Sequence, residues 1–384
     1  MLASCIAVIS LLILIMINQQ RIPIVFIICF IIFIFIAVPS YPATDITLNI
    51  DPIIPLTLAD FGLTDMEEQI QNTTDLNGPF IADAFALANL LGYPIGKANL
   101  GTFPHFEIGV SGGAGCTNMK YFDDNDPASD NGTLPGIMPN FVAHFGMGLF
   151  SGLDVLGKIF YISKSVVNRY KKDIDYETDV ATLNDFLIYS MGGKLRFNIV
   201  KKKRFIPFYL EFGGITLSIG GNYMYGKISF LGDYEYDLND IDVDLGTPVP
   251  VPVDMNFDGQ FGAEIGWSIF TLEAQAIAYF DIFYLFSLYS GFGVAGNIGS
   301  FDTEFSGIGT LTTTNTIYQG VTGSNQIGSL VFLSKNKYKP SPVIPTYILG
   351  LEVNIIILKL NVETMVSMLN RSDINVQAGT RIQI

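Results

Sequence analysis

The chain has 384 residues and a formal net charge of −15, and it is 49% hydrophobic but only 15% charged. This acidic balance excludes the basic footprint of a nucleic-acid-binding protein. The 38 glycines, with polar residues recurring after residue 43, argue against a bundle of membrane helices, which would show several uninterrupted apolar runs of about 20 residues. The body of the chain is therefore expected to be β-structure.

Two apolar runs, 2–17 and 22–38, open the chain, and the four polar residues between them are too few to link two membrane-spanning helices. With translation starting at Met16, the remaining run has the positive n-region, apolar h-region and small-residue cleavage site of a secretory signal peptide. We therefore predict a signal peptide over residues 1–40, with an uncleaved membrane anchor as the alternative. After cleavage one cysteine remains, Cys116, which excludes an internal disulfide.

Residues 41–103 are predicted to form a separate N-terminal segment. It contains an acidic stretch, 58–76, and a helix predicted over residues 80–91 that ends at Gly92. The sequence leaves open whether this segment lies in the periplasm or plugs the interior of the domain that follows.

Strict alternation of apolar and polar residues begins near Phe106 and is strongest in the final twelve residues, 373–384. Strands of this kind have one face for lipid and one for a polar lumen. Short turns alternate with long polar connections, and we expect outer loops at 118–138, 231–253 and 301–345. The pattern predicts an all-β protein, an antiparallel transmembrane β-barrel of about 10–12 strands over residues 104–384, preceded by a short helical segment and located in the bacterial outer membrane.

Three places in the alternation need a specific interpretation. The outward parity slips near Gly213-Gly214, which indicates a β-bulge in one long strand over 205–230. We interpret 254–280 as another long strand, with Trp267 and Ile269 facing outward and a slip near Phe270. Residues 282–300 carry no charge, but their four glycines favour a strand over a membrane helix.

The candidate functional residues are the polar side chains on the inward parity of these strands. They would pair into a network that fills a narrow barrel, or line a water path and set solute preference in a wider one. The sequence leaves both open. The predicted lumen-lining set is Glu107, His144, Lys194, Arg196, Glu211, Glu264, Glu273, Glu352, Lys359, Glu363 and Arg381.

Patterns that would carry catalysis or metal binding fail on their spacing. The glycine pattern at 291–296 lacks a following helix, and the aspartate series at 240–244 lacks the glycine and the glutamate of a calcium loop. The two histidines, His105 and His144, have no local catalytic partner signature. We therefore predict no enzyme activity, no metal site and no cofactor.

Several short motifs stand out along the chain, namely Leu87-Ala-Asn-Leu-Leu-Gly-Tyr-Pro, Phe103-Pro-His-Phe-Glu-Ile-Gly-Val, Phe286-Ser-Leu-Tyr-Ser-Gly-Phe-Gly, Leu358-Lys-Leu-Asn-Val-Glu and Val376-Gln-Ala-Gly-Thr-Arg. Together they resemble spirochaete-type outer-membrane barrels. Such barrels are likened to the FadL long-chain fatty-acid transporters, which carry hydrophobic molecules through a barrel closed by an N-terminal hatch. The resemblance covers residues 75–384 and implies transport of hydrophobic compounds.

These observations predict a passive pore or transporter for small solutes or hydrophobic molecules. Its expected partners are outer-membrane lipid, the barrel-assembly machinery and the transported molecules, with no nucleic acid. The alternative function is a closed, surface-exposed barrel that serves as a structural or adhesin-like scaffold and presents its long outer loops.

Overall fold

The computed structural model describes residues 43–50, 63–93, 100, 103–120, 133–150, 152–166, 182–200, 202–206, 209–243, 251–313, 325–370 and 373–384. The predicted signal peptide and the start at Met16 lie outside these residues. Within the part of the chain that the structure describes, no helix is both long enough and apolar enough to cross a membrane.

The described chain contains one long helix and thirteen strands. The first half comprises β1 (Ala43–Ile50), α1 (Leu63–Ala88), β2 (His105–Lys120), β3 (Thr133–Phe150), β4 (Leu153–Ser163), β5 (Thr182–Val200) and β6 (Lys203–Ile206). The second half comprises β7 (Leu210–Val243), β8 (Val251–Ile282), β9 (Phe286–Thr313), β10 (Asn325–Tyr338), β11 (Val343–Ile355), β12 (Leu358–Ser367) and β13 (Ile374–Gln383).

Ten of the described strands close into a ring, in the order β2-β3-β4-β5-β7-β8-β9-β11-β12-β13 and back to β2. Every neighbouring pair is antiparallel, and β13 meets β2 from the pair Ile374↔Cys116 to the pair Gln383↔Glu107. Closure leaves the ring without a free strand edge. The predicted antiparallel barrel of about 10–12 strands with a helical N-terminal segment is confirmed.

Strands β10 and β11 act as one wall strand with an interruption. Both run antiparallel along the same edge of β9, with Tyr338 opposite Phe301 and Val343 opposite Gly296. The residues between them are Lys-Pro-Ser-Pro. A proline has no backbone N–H to donate to a ladder, so the two prolines account for the break.

The ring has an apolar exterior and a buried interior. Phe106, Ile108, Val110, Phe141 and Phe145 alternate outward, and each is between 45% and 65% exposed. Exposed apolar side chains around a whole barrel require hydrocarbon and not water as the surrounding solvent. The protein is therefore a barrel of the bacterial outer membrane.

The two ends of the barrel differ. At one end, which we call the short-turn end, strands are joined by short turns such as residues 283–285 and 356–357. At the other end the connections are longer, and β7, β8, β9 and β10 extend past the rest of the ring. Short turns face the periplasm in bacterial barrels, so the extended strands mark the outer end.

The structure corrects two expectations about the long hairpins. The predicted outer loops 231–253 and 301–345 are largely strand, because β7 runs to Val243, β9 runs to Thr313 and β10 begins at Asn325. Acidic residues alternate there with Tyr234, Tyr236 and Leu238, and the strand ladder continues through them. The predicted strand over 205–230 instead begins anew at Leu210. The expected bulge is confirmed by a register shift between Phe212 and Gly214.

The predicted outward orientation of Trp267 and Ile269 is wrong. Both point into the barrel, where Trp267 is 5% exposed and Ile269 is fully buried. The inward parity continues unbroken from Trp267 to Asp281, so the predicted slip near Phe270 is absent from this described strand. An apolar strand face fits an apolar interior partner as well as lipid, and in this barrel the partner is α1.

Candidate functional site: the filled barrel interior

The interior of the ring is occupied by the chain's own N-terminal segment, residues 63–93, which we call the plug. The sequence predicted a helix over 80–91 without deciding its place, and the structure shows α1 within the barrel. Side chains from Ala84 to Leu91 are at most 7% exposed. Gly78 lies so close to the Tyr338 ring that a β-carbon there would be 2.3 Å from it, so glycine is required for this approach.

One side of the plug packs on an apolar wall. The Phe85 ring stacks on Trp267 of β8 at 4.3 Å and on Phe301 of β9 at 5.6 Å between centroids. Such pairs contribute about 0.5–1.5 kcal/mol beyond the burial of their area. Further apolar residues of the same cluster line β8, β9 and β11, namely Ile269, Ile277, Tyr279, Tyr289, Ala295, Ile344 and Ile348.

The opposite wall is polar and caps the C-terminal end of α1. The last carbonyls of a helix have no partner within the helix. Here Asn375 Nδ2 donates to Leu87 O at 2.5 Å and Asn140 Nδ2 donates to Ala88 O at 2.7 Å. Lys158 Nζ donates to the Asn89 carbonyl at 2.5 Å, and a cation at this position also suits the helix dipole.

Asn89 also binds the plug to strands β7 and β8. Its Nδ2 lies 3.1 Å from Asn222 O, 3.2 Å from Ile269 O and 3.1 Å from Thr271 Oγ1. The chain then turns at Gly92, whose φ is +103°, a conformation that favours glycine at a helix C-terminus.

Between α1 and the short-turn end, side chains of the barrel wall hold the turn at Gly92 and Tyr93. The Gly92 N–H donates to Gln377 Oε1 at 2.7 Å. The Tyr93 ring lies under two ammonium groups, with Lys158 Nζ at 4.9 Å and Lys194 Nζ at 4.6 Å from its centroid. Cation–π contacts of this kind are stronger away from water. Nearer the short-turn end, the Leu100 N–H donates to the Asp154 carboxylate at 3.2 Å.

The outer part of the plug is held at the interruption between β10 and β11. The Asp83 carboxylate accepts hydrogen bonds from the Ser341 N–H at 2.5 Å and from Ser341 Oγ at 2.7 Å. Tyr338 Oη donates to Asp75 at 2.9 Å.

The wall charges pair mainly with one another. Arg196 on β5 binds Asp154 on β4 through Nε at 3.0 Å and Nη2 at 2.8 Å. Lys194 Nζ on β5 lies 2.9 Å from Glu273 Oε1 on β8, on the inner side of the barrel wall. All four side chains are at most 3% exposed.

A second group of wall charges lies beside the closing seam between β13 and β2. Arg381 lies 2.7 Å from Glu352 and 3.5 Å from Glu107. Glu363 accepts hydrogen bonds from Tyr289 Oη and from Gln377 Nε2, each at 3.1 Å.

The structure brings nine of the eleven predicted residues into the buried interior. These are Glu107, His144, Lys194, Arg196, Glu211, Glu273, Glu352, Glu363 and Arg381. Lys359 shares the inward parity of β12 but is only half-buried, near the short-turn end. The interior position predicted for Glu264 is wrong. Its parity on β8 is outward, and it pairs with Lys227 at 2.9 Å with 40% of its side chain exposed.

Sequence reasoning missed several residues that hold the plug. They are Asp154, Lys158, Asn140, Asn375 and Gln377. All five share the inward parity of their strands, so that parity was the available signal. Within the described residues, no group of three or more His, Cys, Asp or Glu side chains is placed to hold a metal ion.

Comparison with known proteins places the chain in one family. A family model described as Lsa36-like matches residues 63–384, a span that starts at the first residue of α1. No curated protein matches the chain at a significant level.

Solved structures show a weak likeness to outer-membrane barrels. The transport unit of the autotransporter AIDA-I from Escherichia coli matches with a TM-score of 0.31 and 13% identity, over 80% of this chain and 98% of that one. A FadL homologue of Pseudomonas aeruginosa has a TM-score of 0.20 and 7% identity, over 73% and 88% of the two chains. The Ralstonia pickettii toluene transporter TbuX has a TM-score of 0.20 and 10% identity over the same shares. The assignment of this chain as a barrel rests on its own strand pairing.

Proposed function

The chain belongs to the Lsa36-like family, and we propose that it is an outer-membrane conduit for small solutes or hydrophobic molecules that its own plug holds closed. The proposal contains no catalytic step and no cofactor. The spirochaete type suggested by the sequence motifs remains a prediction.

The observation that carries this proposal is the self-pairing of the wall charges. Arg196 with Asp154 and Lys194 with Glu273 are wall-to-wall pairs, as is Arg381 with Glu352. If the plug shifts, these pairs stay intact, and the lumen retains a neutralised polar lining. Losing one partner of a buried pair would cost about 3–5 kcal/mol, so wall-to-wall pairing makes plug movement far less costly.

The plug is attached to the polar wall by hydrogen bonds from neutral amides and by two charge-assisted hydrogen bonds from Lys158. The amides of Asn140, Asn375 and Gln377 bind plug backbone atoms, and each such bond contributes about 0.5–1.5 kcal/mol net. A helix with its side chains is about 10–12 Å wide. The space that α1 fills is thus wide enough for a small solute once the helix moves, and the apolar wall opposite would accept a hydrophobic molecule.

Conductance in a planar bilayer tests this proposal. We expect the wild-type protein to be mostly closed. The double variant Asn140→Ala/Asn375→Ala removes two plug hydrogen bonds, about 1–3 kcal/mol in total. Each 1.4 kcal/mol changes an equilibrium tenfold, so the open fraction should rise roughly 5-fold to 100-fold.

A matched control is Asn118→Ala, an exposed asparagine on the outer extension of β2. It should leave the conductance at the wild-type level. If the double variant keeps the heat-modifiable gel mobility of a folded barrel but remains as closed as wild type, the conduit proposal is refuted.

A second candidate function is a closed scaffold that presents an outer sheet to host molecules. It is favoured by the length of the hairpin β7–β8, whose pairing continues from Leu231↔Gly262 to Val243↔Val251, beyond the top of β5. A variant with residues 233–260 replaced by a short turn discriminates between the two. The scaffold function predicts that binding of the purified protein to host-cell surfaces is lost in this variant. The conduit function predicts that the double variant keeps its conductance when it is combined with the shortened hairpin.

A further inference from the structure

The strand that precedes the plug lies at the outer end of the barrel. β1 pairs antiparallel with β10 from Ala43↔Lys335 to Ile50↔Gly328. This part of β10 pairs on its other edge with β9 beyond Phe301, on the outer side of the Lys-Pro-Ser-Pro interruption. β1 thus occupies, on β10, the edge that β12 occupies on β11.

Contacts along the plug follow the barrel axis in order. Asp75 binds Tyr338 and Asp83 binds Ser341, both near the outer end. Farther along the plug, Asn89 binds Thr271 in the middle of β8. Leu100 then binds Asp154, at the start of β4, close to the short-turn end.

The plug is also long enough for this path. α1 has 26 residues, and at 1.5 Å per residue it spans about 39 Å. The apolar band of a bacterial barrel is about 25 Å tall. A single helix therefore reaches from the outer sheet to the lower part of the lumen, and β2 then starts at the short-turn end with His105.

From this geometry we propose that the barrel displays its own N-terminal segment on the cell surface. Residues 43–50 lie outside the membrane because the chain passes once through the lumen, and they are fastened there as an added strand on β10. The backbone ladder of β1 with β10 covers all eight residues of β1. This display does not require the lumen to conduct, so it stands independently of the conduit proposal.

Labelling of intact cells with a membrane-impermeant maleimide tests the display. In a full-length chain whose three cysteines are replaced by serine, single cysteines are placed at Thr47 and, separately, at Leu48. Neighbouring strand residues point to opposite faces, so the two variants sample both faces of β1. We expect labelling of at least one of them on intact cells, to at least half the extent reached by Lys335→Cys.

Two described positions provide the controls. Lys335 is exposed on β10 at the outer end, with 56% of its side chain accessible. Ile356 is 91% exposed in a turn at the short-turn end. Ile356→Cys should react only after the outer membrane is permeabilised. If both β1 cysteines also react only after permeabilisation, the proposal is overturned.

A crosslink provides an independent readout of the strand position. Thr47 and Val331 are directly opposite in the β1–β10 register, where β-carbons lie about 4.5–5.5 Å apart. The double variant Thr47→Cys/Val331→Cys should form a disulfide in cells that heat-modifiable gel mobility shows to contain folded barrel. Thr47→Cys/Leu351→Cys, with the second thiol on β11, should not. Equal crosslinking of the two variants, or none in the first, contradicts the pairing on which the display depends.

Discussion

Truncation of Phe85 should release the plug without opening the ring. The Phe85 ring is 7% exposed and stacks on Trp267 and Phe301, whereas the strand ladder uses none of its atoms. Replacing a buried phenylalanine by alanine costs about 3–5 kcal/mol. In Phe85→Ala this free energy is lost from the docking of the plug, because the cavity forms between α1 and the apolar wall.

Hydrogen exchange measured by mass spectrometry on the peptide covering residues 81–93 reports plug opening directly. At 1.4 kcal/mol per factor of ten, the protection of these amides should fall by a factor between about 100 and several thousand. Phe145→Ala is the matched control, because Phe145 is 58% exposed on the lipid-facing side. It should leave plug exchange unchanged. If Phe85→Ala exchanges within threefold of wild type while the ring strands stay protected, the apolar stack does not hold the plug.

Three further predictions concern single positions. Ile356→Gly should raise the free energy of unfolding in a urea titration by about 1–2 kcal/mol, because a β-branched residue there has a φ of +54°; an unchanged or lower value would contradict this. Gly92→Ala should speed exchange of the plug at least tenfold, because its β-carbon would lie 2.2 Å from Val142 Cγ2, whereas Gly193→Ala, with its nearest contact at 3.9 Å, should not. Asp83→Ala should speed exchange of the plug about 5-fold to 100-fold, because it removes two hydrogen bonds from Ser341 that together contribute about 1–3 kcal/mol; exchange at the wild-type rate would show that this contact does not hold the plug.

Period-two alternation predicted the barrel because it reports a local property of each strand. The strict pattern in β13 and the bulge at Gly214 both follow from neighbouring residues alone, and the structure has both. Inward parity likewise identified Arg196 and Arg381, which form buried pairs.

The position of the plug could not be predicted in this way. Asn89 binds residues that lie at least 133 positions away from it in the chain. A local sequence pattern carries no information about contacts of that separation. Trp267 and Ile269 were misassigned for the same reason, since their apolar character fits α1 as well as lipid. Glu264 was misassigned together with them. It has the opposite parity to Trp267 on β8, so placing Trp267 outward also placed Glu264 inward.

The seam between β13 and β2 shares its residues with the plug. Asn375 and Gln377, both on β13, bind the carbonyl of Leu87 and the amide of Gly92. On the other side of the seam, Gly115 of β2 lies against α1 so closely that a β-carbon there would be 2.7 Å from the Ala84 carbonyl. Departure of the helix would therefore strip both seam strands of contacts at the junction where the first and last strands of the ring meet.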